Sequence, residues 1–452
     1  MRIVCPGYRD PSEQTFRDES VKVKRKAQEA YSKKAARIKG NRDDVFPNDS
    51  LVVLPLNPNE TRIVLPQWSP GPPIEDVALA HFMSSYVPES RFEYLLSIYT
   101  TFGPDASLPA AIEAASKARL AWEVGEPLVM EEARSSYAKA VTETNLALSN
   151  PATALQDATL VSVLLLSLFE TMIWTGVGIP DNWTTHIRGA LSLVRLRGSS
   201  QLETEVGCQL FTHVTNIVSV SSIRLCERIP QDIIELQIEA LRQHDDKRPI
   251  YRLTSYTGEV ANLFAEIAEG NLTTNKIIES TRRMDDKYMS FLETLSPIWR
   301  CRNVVQDDPE VYGRLFHQYP RPRTAQIWNS IRMTRMLLNG IIYGHASLLS
   351  GSSAAAIKAQ AERNVGQMAA DICATVSQFL DTRTFNVAWA ATLLWPLSSV
   401  RGATLVPEDL RDYAEQTLKR LGRKLRMPSA EAVAFHPELR ALEDGLHMFY
   451  LS

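Results

Sequence analysis

Apolar positions recur at helical spacing from Ile74 almost to the end of the chain. Ala78, Phe82 and Tyr86 stand at i, i+4 and i+8, and Pro88 stops that run. A second run starts near Ser90, with Phe92, Leu95, Leu96 and Tyr99 expected to face inward. Pro109 to Val124 is Ala-rich, and Glu131 to Ser149 carries Tyr137, Ala140, Val141, Thr144 and Leu148. Asp157 or Thr159 is the expected N-cap of the most apolar segment, Leu160 to Trp174. Further helical blocks are predicted at 183–197, 205–227, 230–243, 255–270, 274–293, 323–350, 353–380, 384–400, 407–426 and 438–449. No alternating strand pattern and no Gly-rich strand-to-helix turn interrupts them in this reading. The fold class is therefore all-α, a large irregular helical array of paired antiparallel helices.

The first seventy residues follow a different pattern. Residues 16 to 40 favour helix, with Phe16, Val23, Ala27, Tyr31 and Ile38 forming a thin apolar stripe. Pro47, Pro55, Pro58, Pro66, Pro70, Pro72 and Pro73 then deny a continuous helix or central strand. Leu51-Val-Val-Leu54 is short enough for one strand or for an anchor on the body.

Charge separates the same two parts. The net charge of −3 over 452 residues divides into +7 for residues 1–42 and −10 for the remainder. Lys22, Lys24, Arg25 and Lys26, then Lys33, Lys34, Arg37 and Lys39, make two basic clusters. They resemble a bipartite nuclear-import signal and suit phosphate contact, and they equally suit a solvated helix face. An apolar share of 44% against 22% charged fits a large folded core.

Candidate chemistry is sparse. Cys5, Cys208, Cys226, Cys301 and Cys373 form no Cys-x-x-Cys unit, and the last four are expected to be buried thiols. Leu160 to Trp174 is too short to span a bilayer and contains Glu170, so no membrane is expected as a partner. Phosphate-cradling Gly loops, Gly-x-Ser-x-Gly, His-Glu-x-x-His and dinucleotide fingerprints are absent, so no catalytic residues are assigned and the chain is not expected to be an enzyme. Asp245-Asp246 and Asp307-Asp308-Pro-Glu310 read as solvated loops. Tyr312, Phe316, Tyr319, Trp328 and Tyr343 gather around Pro320 and Pro322, as core or as the lining of a ligand pocket.

Two stretches carry a family resemblance. Arg2-Ile-Val-Cys5-Pro-Gly-Tyr-Arg9-Asp10, followed by Phe16-Arg-Asp-Glu-Ser20, resembles the end of a fungal zinc binuclear cluster. Leu168-Phe169-Glu170, then Trp183-Thr-Thr-His186-Ile-Arg188-Gly189-Ala190-Leu191, resembles the fungus-specific regulatory domain that accompanies such clusters. By that resemblance Cys5 matches the sixth zinc ligand, and the other five would lie upstream of Met1. One thiolate cannot hold two zinc ions, so no metal site and no cofactor is expected, with zinc implied only if an upstream cluster is missing from this chain.

The implied organisation is 1–10 as the end of a zinc cluster, 11–45 as a basic helical linker, 46–73 as a Pro-rich linker and 74–452 as the regulatory domain. The implied function is a fungal nuclear transcription regulator, controlling secondary-metabolite or nutrient-use genes. Its partners would be the transcription machinery or another regulator, in a homo- or heterodimer, with a small-molecule effector, while DNA contact stays open. A non-transcriptional helical scaffold or metabolite-binding module is the alternative. Within the tandem, Glu170, Trp183, His186, Arg188 and Gly189 are expected to form a structural network. His186 and Arg188 are the candidate partners for Glu170, and Gly189 is expected to admit a close neighbouring helix.

Overall fold

A helix as apolar as the one predicted over Leu160 to Trp174 needs neighbours on every side, and the computed structural model supplies them. It describes residues 72–100, 107–174, 179–244, 249–305, 311–380, 386–425 and 428–435. The chain divides into Met1–Pro70 and Gly71–Ser452, and the described residues all fall in the second unit. Cys5, the eight basic candidates, the Leu51–Leu54 segment, both acidic pairs and the block 438–449 lie outside the described residues.

The first helix, α1 (Ile74–His81), runs into a π-helical turn at Phe82–Tyr86 and a tight turn at Val87–Glu89 that holds Pro88. Next come α2 (Leu95–Tyr99), α3 (Leu108–Val124), α4 (Pro127–Ser149), α5 (Asp157–Ile173), α6 (Asp181–Arg197) and α7 (Glu205–Leu225). Pro109 and Pro127 occupy the first turns of α3 and α4, where a missing N–H leaves no helical bond unmade. Helix α5 buries every residue from Ala158 to Met172. It packs on α3, α4, α6 and α7, while α3 also covers α1.

The second half contains α8 (Gln231–His244), α9 (Pro249–Ala268), α10 (Thr274–Thr294), α11 (Pro322–Ala346) and α12 (Ser352–Cys373). It ends in α13 (Val376–Leu380), α14 (Val387–Ala391), α15 (Leu394–Gly402), α16 (Glu408–Leu425) and α17 (Pro428–Phe435). Helices consecutive in sequence pack on one another, so α9 meets α8 and α10, α11 meets α10 and α12, and α16 meets α15 and α17. Helix α9 also lies along α7, which joins the halves into one large core. A smaller core of Ile278, Ile342, Ala346 and Ala361 lies between the start of α10, the end of α11 and the middle of α12. Among the described residues no helix is long and apolar enough to cross a membrane.

The all-α class holds, with one addition. A two-stranded antiparallel hairpin pairs β1 (Arg302–Val305) with β2 (Leu315–Gln318). Its place is made by a break in the predicted block 353–380. Helix α12 stops at Cys373, and the Ala374 carbonyl accepts the His317 N–H at 2.8 Å. The block 384–400 likewise divides between α14 and α15, and α9 starts six residues earlier than its apolar spacing indicates.

Three local expectations need correction. Gln156, not Asp157 or Thr159, is the N-cap of α5, and no side chain caps it. Asp157 pairs instead with Arg197, and the Thr159 hydroxyl donates to the Thr153 carbonyl at 2.7 Å. Leu96 and Tyr99 are 44% and 43% exposed, while Phe92 and Leu95 are buried. Of the thiols, Cys208 and Cys373 are buried, but Cys226 is exposed, in the left-handed position that ends α7.

An ion pair joins α10 to α11. Arg335 donates from Nε to Asp285 Oδ1 at 2.6 Å and from Nη2 to Oδ2 at 3.2 Å. The two side chains are only 13% and 9% exposed, so neither charge has much water to fall back on. Arg335→Met is expected to destabilise the fold by about 3–5 kcal/mol, because it strands the Asp285 charge. Adding Asp285→Leu should recover most of that loss, as read by urea titration; a double variant no more stable than the single one would refute the account.

Candidate functional site

Helix α5 carries one buried carboxylate, Glu170, among its apolar residues, and side chains of α4 and α6 converge on it. Glu170 is buried, at 4% exposure. The Tyr137 hydroxyl of α4 and the Asn182 amide of α6 both donate to Glu170 Oε1, the latter at 3.1 Å. His186 Nε2 meets the Tyr137 hydroxyl at 3.1 Å. The Tyr137 ring stacks on Phe169 at 4.4 Å and meets the His186 ring edge-on. Burial first, then the Glu170 carboxylate, pushes the Tyr137 phenol far above its ordinary range, so it stays a donor. Burial holds the His186 imidazole below its ordinary value, although Glu170 pulls the other way.

The structure brings Glu170 and His186 to one point, joined through Tyr137 rather than directly. Trp183 is buried on the core side of α6, and Arg188 is exposed and takes no part. Gly189 is exposed too, and among the described residues nothing lies within 4 Å of where its Cβ would stand. The close approach belongs to Gly207 in the first turn of α7. A Cβ there would sit 1.9 Å from the Gln201 carbonyl oxygen. Tyr137 and Asn182 are the members that sequence reasoning missed. A donor-rich residue on each helix flanking an isolated buried acid was the available signal.

A separate cavity of about 500 Å³ opens between the turn holding Arg91, the middle of α7, the start of α9 and the segment entering α11. Its back wall carries a buried pair, Tyr94 Oη and His213 Nδ1, 2.9 Å apart. Phe92 meets the His213 ring edge-on at 5.0 Å. Glu89 anchors the other wall. It accepts from Arg321 Nε at 3.1 Å and from the Arg323 N–H at 3.4 Å, in the first turn of α11.

Of the five aromatics expected around Pro320, none lines this cavity, although Pro320 itself does. Tyr319 and Trp328 turn to a buried guanidinium, Arg332, which bonds Tyr319 Oη at 2.7 Å and Asn329 Oδ1 at 2.9 Å. Tyr312 bonds Asp409 at 2.5 Å, Phe316 lies opposite Val304 in the hairpin, and Tyr343 packs on the smaller core. Trp328 still serves the cavity at one remove. Its Nε1 donates to the Trp299 carbonyl at 2.6 Å, and Trp299 is part of the lining.

Among the described residues no group of three His, Cys, Asp or Glu is placed to hold a metal ion.

Residues 98–214 match a family model described as the fungal specific transcription factor domain. The match runs from the end of α2 into α7 and so contains the whole Tyr137–Glu170–Asn182–His186 cluster. It supports a regulatory domain of that kind in this part of the chain. No curated protein and no solved structure matches the chain.

Two outcomes are expected at the cluster. Tyr137→Phe removes a donor from a buried carboxylate and should destabilise the fold by about 1–3 kcal/mol in denaturant titration. His186 yields a pH signature. In the unfolded chain it titrates near about 6.5, and in the fold below that. Folding is therefore unaffected by this group above that value. As pH falls through it, the unfolded state takes up a proton that the buried ring refuses, and stability drops. His186→Gln should lack that component, and equal slopes for variant and wild type between about pH 7 and pH 5 would contradict the assignment.

Proposed function

We propose that this chain is a nuclear transcription regulator of the fungal zinc-cluster lineage, with residues 74–452 as its helical regulatory domain. The observation that carries the reading is the family match across α3 to α7, centred on helix α5 and its buried carboxylate. Polar side chains there point at one another across helix interfaces, which suits a module that holds or relays a conformation. Residues 1–10 form the end of a zinc cluster, 11–45 a basic linker and 46–73 a Pro-rich spacer. Lys22, Lys24, Arg25, Lys26, Lys33, Lys34, Arg37 and Lys39 supply import and, secondarily, salt-sensitive affinity for phosphate. The chain acts through the transcription machinery or a dimer partner, without catalysis and without zinc of its own. Its genes are a secondary-metabolite or nutrient-use set.

A second reading, a metabolite-binding module with no transcriptional role, is favoured by the cavity between α7, α9 and α11.

Localisation together with a tethered reporter separates the two. The tagged chain should concentrate in fungal nuclei and shift to the cytoplasm when Lys24, Arg25, Lys26, Lys33 and Lys34 become Ala. Fused to a heterologous DNA-binding domain, residues 74–452 should change reporter output. Nuclear exclusion of the unmodified chain with an inert fusion would overturn the regulator reading in favour of the second.

A further inference from the structure

A smaller cavity, of about 200 Å³, opens between α6 and the closing turns of α7. Helix α6 contributes Thr184, Ile187, Arg188 and Leu191, at i, i+3, i+4 and i+7, so a single face of the helix lines it. Helix α7 contributes Val218, Ser221, Ser222 and Leu225 at the same spacing, with Arg224 alongside.

The third wall is the chain that leaves α7. Cys226 takes a left-handed backbone, and the N–H groups of Cys226 and Glu227 return to the carbonyls of Ile223 and Ser222 at 3.4 and 3.0 Å. That reversal carries Glu227, Arg228 and Pro230 past the cavity. The Asn262 side-chain oxygen accepts the Ile229 N–H at 2.8 Å, and Arg228 holds Glu269 with two bonds of 2.8 Å each. The wall is thereby tied to the last turns of α9 and the residue after them, and moving it inward would break these bonds.

Polar groups on the lining lack partners. The Arg224 Nε and the Ser221 hydroxyl are both buried, and neither makes a hydrogen bond. Each such group costs about 1–3 kcal/mol while it stays unsatisfied, and an acceptor entering the cavity offers both a partner. On the facing helix Arg188 is exposed. Among the described residues no ion pair joins Arg188 or Arg224 to an acid. Arg228 is occupied by Glu269, and the lining has one carboxylate, the exposed Glu227. Two guanidinium groups therefore stand against one acid.

Size and walls narrow the choice of occupant. Sites for drug-sized ligands run from about 300 to 1,000 Å³, and this one is smaller. Trp183, Ile187, Leu191, Val218 and Leu225 give it an apolar body, which a bare inorganic anion would face without any return for its lost hydration. The Nε edge of a guanidinium takes a carboxylate through two parallel bonds.

We infer that the cavity between α6 and α7 binds a small organic carboxylate with a short apolar body. Its oxygens meet Arg224, Ser221 and Arg188, and its body lies against Trp183, Ile187 and Leu225. The site is an effector input for the regulatory domain proposed above, and it rests on that reading only for its consequence in the cell.

The purified full-length chain, mixed with 4-fluorobenzoate and followed through the ligand's fluorine NMR line, tests the site directly. Saturable broadening is expected, reversed by benzoate. The uncharged 4-fluorobenzyl alcohol should bind about tenfold more weakly, the ratio that about 1.4 kcal/mol of charge pairing produces. Inorganic phosphate should displace the probe poorly. Arg188→Gln and Arg224→Gln should each weaken 4-fluorobenzoate about tenfold and leave the alcohol nearly unchanged. Arg188 is exposed, so that variant should keep its fold, as circular dichroism would verify. Arg321→Gln, in the larger cavity, should leave binding as it is. Absence of saturable binding would overturn the inference. So would equal binding of acid and alcohol, displacement by phosphate as good as by benzoate, or binding that falls with Arg321→Gln and not with Arg188→Gln. An inert reporter fusion or nuclear exclusion would count against the regulator reading and leave these binding results standing.

Discussion

Helix α5 sets the terms for the fold around it. Fifteen consecutive residues, Ala158 to Met172, are removed from water, so no face of this helix can be left to solvent. At roughly 1.5–3 kcal/mol for each large apolar side chain, exposing even two of its leucines would use up much of the stability of an ordinary domain. Neighbours must therefore close around it, and α3, α4, α6 and α7 do. The same closure makes Glu170 expensive. A carboxylate in this position needs donors from the surrounding helices, and Tyr137 and Asn182 provide them. The polar cluster is thus a consequence of burying α5, and it fixes how α4 and α6 are rotated against it.

Much of this architecture was legible in the sequence, for a physical reason. A 3.6-residue apolar period survives wherever a helix has one wet face, so α6, α7, α8, α10 and α16 fall close to their predicted blocks. The departures occur where a tertiary partner outbids a local rule. Asp157 has the chemistry of an N-cap but spends its carboxylate on Arg197, forty residues away. Helix α12 ends not at a helix breaker but where the Ala374 carbonyl is drawn to β2. The hairpin strands, four residues each, are too short to show alternation, and three of the four positions of β1 are exposed.

The candidate sites were less legible, because what matters is which side of a helix meets which other. Glu170 and His186 stand out in sequence as polar residues beside apolar runs, but Tyr137, which links them, lies thirty-three residues before Glu170. Gly189 and Gly207 look alike on paper. Only the fold shows that Gly207 lies against the Gln201 backbone and Gly189 in open space. The aromatics near Pro320 pointed to the right region for the wrong reason. Tyr319 and Trp328 face Arg332, the other three lie elsewhere, and Trp299, bonded to Trp328, is the residue that lines the larger void.

The buried cations of the helical body obey the same constraint as Glu170, with the signs reversed. Lys117 is buried to 5% exposure, and Glu113, Glu75 and Glu132 all stand within 3.5 Å of its ammonium. Arg332 is equally buried, with Asp371 at 3.7 Å and the rings of Trp328 and Tyr319 beneath it. Arg335 has the bidentate Asp285. At each of these points the fold supplies a carboxylate for a cation it takes out of water, as the penalty for leaving such a charge unmatched requires.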